Sequence, residues 1–284
     1  MKIIDAHIHF SNWERFKLTA KEVSEVNYTA EGLKNEFNSA GIQAAVVMTT
    51  ASRDIPESYG PVQEMRLDDG TPDNLAACIG VNAYNLAKNP EKELYYVEQE
   101  LNKPYATGIK LYPGYTPFYV TDPMYEPVYD LARKYQVPVA IHCGDTSSPN
   151  ALLKYAHPLT VDEAAVKHPD IIFVICHMGD PWVMDTAELI GKNHNVYTDL
   201  SGLIAGNKEH VQKRRYSGLF LNHFKQALAY CEEYEKLLFG TDWPLVPIEP
   251  YVKFVKALVP EEYHEDVFFK NALKVYPRLK ELVI

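Results

Sequence analysis

Cysteine is scarce in this chain. Cys78, Cys143, Cys176 and Cys231 are scattered and form no CxxC pair, which argues against a disulfide framework. Three of them lie in apolar, strand-like runs, where a thiol behaves as a small buried hydrophobe; all four are read as reduced thiols of a cytoplasmic protein. Positive charge is also in deficit. The formal net charge of −10 argues against a nucleic-acid backbone or an anionic membrane as the main partner. A small anionic substrate stays open, because a metal and a few cations can govern a pocket locally. No apolar run approaches the roughly 18 residues of a membrane span. The first residues lack the basic, apolar and small-residue regions of a signal peptide, since their short apolar stretch is interrupted by Asp5, His7 and His9. There is no low-complexity segment, no repeat at solenoid spacing and no linker separating two halves. Residues 1–284 are therefore expected to form one domain.

What is present is the balance of a globular protein, 46% hydrophobic and 23% charged residues, enough for a sizeable core. Strand-like runs alternate with helical patterns. The strands are expected at 2–9, 43–49, 76–82, 107–112, 137–143, 171–177, 196–200 and 236–240. Thr29 and Gly41 bracket a helix as N-cap and stop. Asn89-Pro90 opens another, Asp122-Pro123 and Asp180-Pro181 each begin one, and Thr160 with Glu163 forms a capping box. Residues 11–28 look like a loop. Residues 50–74 read as a long loop and a candidate substrate cover, and the tail from Pro250 reads as helices. Eight apolar strands alternating with helical material predict a parallel (β/α)8 TIM barrel, with a doubly wound open sheet as the alternative.

The chemistry collects at the ends of these runs. The chain opens Ile3-Ile4-Asp5-Ala6-His7-Ile8-His9. Alternate side chains of a strand share a face, so His7 and His9 point the same way and make half of a metal site. Other strands end on Lys110, His142, His177 and Asp242. In a barrel these ends converge on one face. Imidazoles plus a carboxylate suit zinc, or manganese, iron or nickel, with a position left open. His142 and Asp242 are read as ligands, Asp242 also as a proton acceptor. His177 either joins a second metal or orients water or substrate. Lys110 pairs with a carboxylate or an anionic substrate, or bridges two metals as a carbamate; Asp5 supports the site or the fold. The other six histidines, at 157, 168, 194, 210, 223 and 264, are read as surface residues. Arg53, Trp13, Tyr115, Trp182 and Trp243 are candidate substrate contacts.

Asp5-Ala6-His7-Ile8-His9, Gly108-Ile109-Lys110-Leu111-Tyr112-Pro113, Ile141-His142, Cys176-His177-Met178-Gly179 and Phe239-Gly240-Thr241-Asp242-Trp243-Pro244 together resemble the amidohydrolase superfamily. The closest likeness is to its amidohydrolase-related branch, which includes aminocarboxymuconate-semialdehyde decarboxylase. The resemblance implies a (β/α)8 barrel with one or two divalent ions, His7, His9, His142 and Asp242 holding the main one, and Lys110 and His177 open to a second. It places a metal-dependent hydrolase first: a metal-activated water attacks an amide, ester or lactone of a small molecule, with Asp242 taking the proton. Decarboxylation of a small unsaturated or aromatic acid is the alternative, and a non-catalytic binding protein on a barrel scaffold is the reading from another class. A homo-oligomer is compatible with this sequence.

Overall fold

A computed structural model describes residues 1–11, 13–49 and 72–283. Arg53 and most of the proposed cover segment lie outside the described residues. Eight strands run in chain order around one parallel sheet: β1 (Ile3–Ile8), β2 (Ile42–Met48), β3 (Leu75–Gly80), β4 (Ala106–Leu111), β5 (Val139–Ile141), β6 (Phe173–Ile175), β7 (Val196–Asp199) and β8 (Leu237–Leu238). The last strand returns to the first. Ala6 N donates to Phe239 O at 2.8 Å, Asp242 N donates to His7 O at 2.8 Å, and Ile8 bridges Trp243. The sheet is therefore a TIM barrel, as the alternation of apolar strands and helices predicts, and not an open sheet.

Two apolar layers follow from the period of two along each strand. One fills the barrel: Ala44, Val46 and Met48 of β2, Ala76 and Cys78 of β3, Val174 of β6 with Cys176 just beyond it. These are mostly small residues, and the space left is filled from below by Ala272, Val275, Tyr276 and Leu279. Arg278 Nη1 fixes this plug by donating to Leu101 O, at the end of the helix Pro90–Leu101, at 3.1 Å and to Ala106 O, at the start of β4, at 2.6 Å. The other layer lies between barrel and helices, with Leu33, Phe37, Val97, Val128, Phe224 and Phe254 among its buried members.

Local signals translate directly in places. Thr29 Oγ1 accepts from Gly32 N at 3.0 Å to start the helix Ala30–Ala40, and Gly41 ends it at φ 78°, a conformation that suits glycine. Asn89 caps the helix Pro90–Leu101 through Lys92 N. Elsewhere the structure corrects the sequence reading. Residues Glu14–Thr19 are helical and run into a π-turn at Ala20–Ser24; Phe16 and Ala20, four apart, are buried and hold this segment over the end of β1. The capping box at Thr160 does not form. Leu159 is already in helical conformation, and the Thr160 hydroxyl turns back to His157 O at 2.8 Å. His168 is not a surface residue: it is 4% exposed, and Arg133 Nη2 donates to its Nδ1 at 2.6 Å. Several strands are shorter than their apolar runs, because only the central residues of 137–143 and 171–177 complete the ladder, Val139 to Ile141 pairing Phe173 to Ile175. No described helix is long and apolar enough to cross a membrane.

Candidate active site

The C-terminal ends of the strands bring His7, His9, Lys110, His142, His177 and Asp242 to one end of the barrel. His7 Nε2 lies 3.3 Å and His9 Nε2 3.1 Å from the same oxygen, Asp242 Oδ1, so the two histidines do share a face. The His177 ring centroid is 4.8 Å from that of His7 and 5.0 Å from that of His142. His7, His177 and Asp242 offer donor atoms within 4.8 Å of one another.

Each ring has one nitrogen fixed by an acceptor that cannot donate, so that nitrogen carries the hydrogen and the other keeps its lone pair. His7 Nδ1 donates to Asp199 Oδ2 at 2.9 Å, His9 Nδ1 to Met48 O at 2.9 Å, and His177 Nδ1 to Ser201 O at 3.1 Å. For these three the free nitrogen is Nε2. His142 is reversed: Nε2 donates to Asp145 O at 3.0 Å, leaving Nδ1 free. His7 Nε2 and Asp242 Oδ1 are buried, close together and without a hydrogen-bond partner. Leaving each unpartnered costs about 1–3 kcal/mol, and a cation between them removes that cost. The donor set, imidazole nitrogens and one carboxylate, fits a divalent ion.

Charge is arranged in keeping with this. Burial lowers the His7 imidazole from 6.5 to about 4, against the pull of Asp199, so it is neutral. Burial likewise pushes His142 well below its usual value. Burial works to raise Asp242, but His7, His9 and His177 overcome it and hold the carboxyl far below the ordinary range. Asp5 is raised by burial to about 7, even though it accepts from the Thr241 hydroxyl at 2.6 Å and from Thr241 N at 3.0 Å. Asp5 thereby fastens β1 to the turn that carries Asp242.

Asp199, which the sequence reading missed, is the organiser beneath these groups. Fully buried at the end of β7, it accepts from His7, from His177 N at 2.9 Å and from the Ser201 hydroxyl at 2.5 Å. Burial raises its carboxyl, and His7, His177 and Lys110 pull it well below the usual range. The signal was available: a carboxylate ending an apolar strand, the same mark that singled out Asp242. His177 and Asp242 both adopt left-handed backbone, at φ 60° and 63°, which costs non-glycine residues energy and clusters at functional sites. Room for them comes from Gly202, at φ 65°, where a Cβ would stand 2.7 Å from His177 Nδ1 and 3.0 Å from Asp242 Oδ2.

Lys110 is 1% exposed and reaches Cys176 Sγ inside the barrel. Phe16 stacks on His9 at 4.5 Å, with Trp13 edge-on to it at 5.2 Å. Tyr115 lies 4.8 Å from the His142 ring, and its hydroxyl bonds Ser147. Trp182 packs on His157 at 4.6 Å. Trp243 is fully buried between Tyr28 and Phe10, at 4.8 and 6.2 Å; its ring has no face open to a ligand, and it is set aside as a substrate contact.

A barrel with this end-of-strand constellation belongs to the amidohydrolase family, whose model matches residues 4–278. Members of that family use a divalent metal. No curated protein matches the sequence. Among solved structures, an uncharacterised TIM-barrel protein from Bordetella bronchiseptica is 19% identical with a TM-score of 0.69, over 99% of this chain and 100% of that one. A dihydroxybenzoic acid decarboxylase from Polaromonas sp., with bound manganese and the inhibitor 2-nitroresorcinol, is 14% identical with a TM-score of 0.66, over 97% of each chain. A probable 2-pyrone-4,6-dicarboxylic acid hydrolase from Acinetobacter baumannii, with citric acid bound, is 15% identical with a TM-score of 0.59, over 98% and 100%. At these identities the likeness is one of fold.

Proposed function

We propose that this protein is a metal-dependent decarboxylase of a small aromatic or unsaturated carboxylic acid, working with one divalent ion, zinc or manganese. The observation that supports this reading is the gap between His7 Nε2 and Asp242 Oδ1, two buried atoms without a hydrogen-bond partner, with Lys110 directed to Cys176 in the barrel interior. The engagement of Lys110 with Cys176 below the site supports one ion. The Polaromonas decarboxylase on the same fold supports the substrate class.

In this reading His7 and His9 through Nε2, His142 through Nδ1, and Asp242 would hold the ion. When bound, the ion supplies Lewis acidity to the substrate's oxygens. Asp242, ionised, takes the proton of a substrate hydroxyl or acid and returns it to the ring carbon that bears the carboxylate. The carbon–carbon electron pair then stays with the ring as carbon dioxide leaves. His177 keeps Nε2 free to accept a hydrogen bond and orient the acid beside Asp242. Phe16 and Tyr115, set over His9 and His142, would flank a planar substrate, with Trp13 and Trp182 further out and Arg53 a candidate partner for a carboxylate.

Hydrolysis of a lactone or ester is the second reading, supported by the Acinetobacter hydrolase on the same fold. There Asp242 would take the proton of an attacking water. Zinc- or manganese-loaded protein offered hydroxybenzoates, unsaturated diacids and lactones separates the two. Metal-dependent carbon dioxide release, lost in Asp242→Asn, supports decarboxylation. Ring opening of a lactone without carbon dioxide selects hydrolysis, and turnover of neither class sinks both.

A further inference from the structure

Beneath the metal-binding groups, Lys110 stands among three buried thiols, Cys78, Cys143 and Cys176, whose ionisation it influences in each case. Its Nζ lies 2.6 Å from Cys176 Sγ. A hydrogen bond to oxygen in this protein is as short as 2.6 Å between Arg278 and Ala106, but sulfur is a larger atom than oxygen, and a hydrogen bond to it is correspondingly longer. A nitrogen and a sulfur held so close match the spacing set when one oxygen is bonded to both. Both side chains project from the barrel wall, at β4 and just past β6, and alternate strands of such a barrel contribute to the same interior layer. The contact is thus made between rigid elements.

We propose that Lys110 and Cys176 are a modification site: in the presence of dioxygen they join through a covalent N–O–S bridge that a thiol reductant reopens. Counted from the neutral amine and thiol, one N–H and one S–H bond break, and one N–O and one O–S bond form. One molecule of dioxygen supplies the bridging oxygen and leaves its second oxygen as water. Nitrogen and sulfur each give up two electrons, and dioxygen takes up four. Cysteine oxidation of this depth is reversible, unlike oxidation to sulfinic acid. The bridge removes the Lys110 ammonium from beside Asp199, the carboxylate that holds His7, so oxidation is read out at the metal site. The inference rests on the Lys110–Cys176 contact and stands or falls apart from the reaction catalysed.

The test is peptide mapping of full-length protein purified in air without reductant. The expected product joins the peptides carrying Lys110 and Cys176, heavier than their sum by one oxygen less two hydrogens. It disappears after treatment with dithiothreitol, and it is absent from protein purified without oxygen and from Cys176→Ser. Recovery of Cys176 after prolonged aeration wholly as an alkylatable thiol, as sulfinic acid or as a disulfide with Cys143, with no linked peptide, overturns the proposal.

Discussion

Replacing Asp199 with asparagine isolates the one side chain that sets the state of His7. In the native protein one carboxylate oxygen receives His7 Nδ1–H at 2.9 Å, while the other receives His177 N, Ser201 N and the Ser201 hydroxyl. Those three donors claim the amide oxygen of asparagine, which turns its NH2 toward His7. Two donors then face each other unless the imidazole shifts its hydrogen to Nε2, and that shift removes the lone pair pointing at Asp242. Loss of such a supporting partner typically costs 10–100-fold in metal affinity, about 1.4–2.7 kcal/mol. The variant is nearly isosteric, so the fold should persist. Competition of Zn2+ or Mn2+ binding against a chromophoric chelator gives the affinity, with circular dichroism as the check on folding. A folded Asp199→Asn protein that binds metal as tightly as the wild type would refute the tautomer argument.

Gly202→Ala places a methyl against His177 and Asp242 in left-handed backbone; turnover should be largely lost with a stability cost of about 1–3 kcal/mol, read by assay and thermal melt, and a fully active variant would contradict the tight approach. In metal-free protein His7 has its folded pKa depressed from 6.5 to about 4, so the unfolded chain takes the proton first. Its contribution to stability is present above pH 6.5 and is lost as pH falls to about 4, about 3 kcal/mol in all. Asp5, raised to about 7, acts in the opposite sense, stabilising at low pH and losing its effect as pH rises to about 7. Urea midpoints of metal-free Asp5→Asn should therefore rise steadily from pH 4 to 6.5, and a flat profile would count against the His7 reading. Chelation should abolish activity and lower the melting temperature, and metal at about 100 times its Kd should restore about 2.7 kcal/mol, measurable by denaturant titration with and without the ion.

The barrel was legible because its signal is repeated: each strand is a short apolar run, and most runs are followed by helical periodicity. The ends of those runs also marked His7, His9, His142, His177 and Asp242, since a polar residue closing an apolar strand stands out in one dimension. Asp199 closes its run in the same way but has no neighbouring residue that marks it; its importance lies in partners far away in sequence, His7 above all. Trp243 misled for the converse reason. Beside Asp242 it looked like a substrate contact, but the chain turns its ring inward against Tyr28 and Phe10, a choice made by tertiary packing. The helix at Glu14–Thr19 carries weak local signals and is held by Phe16 and Ala20, contacts that exist only once the barrel is formed. The reversed tautomer of His142 depends on one backbone carbonyl, Asp145 O, which no residue type announces.

The plug beneath the barrel has a consequence for how the protein comes into being. Ala272, Val275, Tyr276 and Leu279 complete the inner apolar layer, yet they follow all eight strands in the chain. During synthesis the ribosome releases every strand before it releases the residues that fill the space between them. Until then the small side chains of β2, β3 and β6 border a hollow open to water. The nascent barrel becomes watertight only when these turns of helix have emerged, so a stop codon placed just ahead of Ala272 would yield eight complete strands and a barrel without a floor.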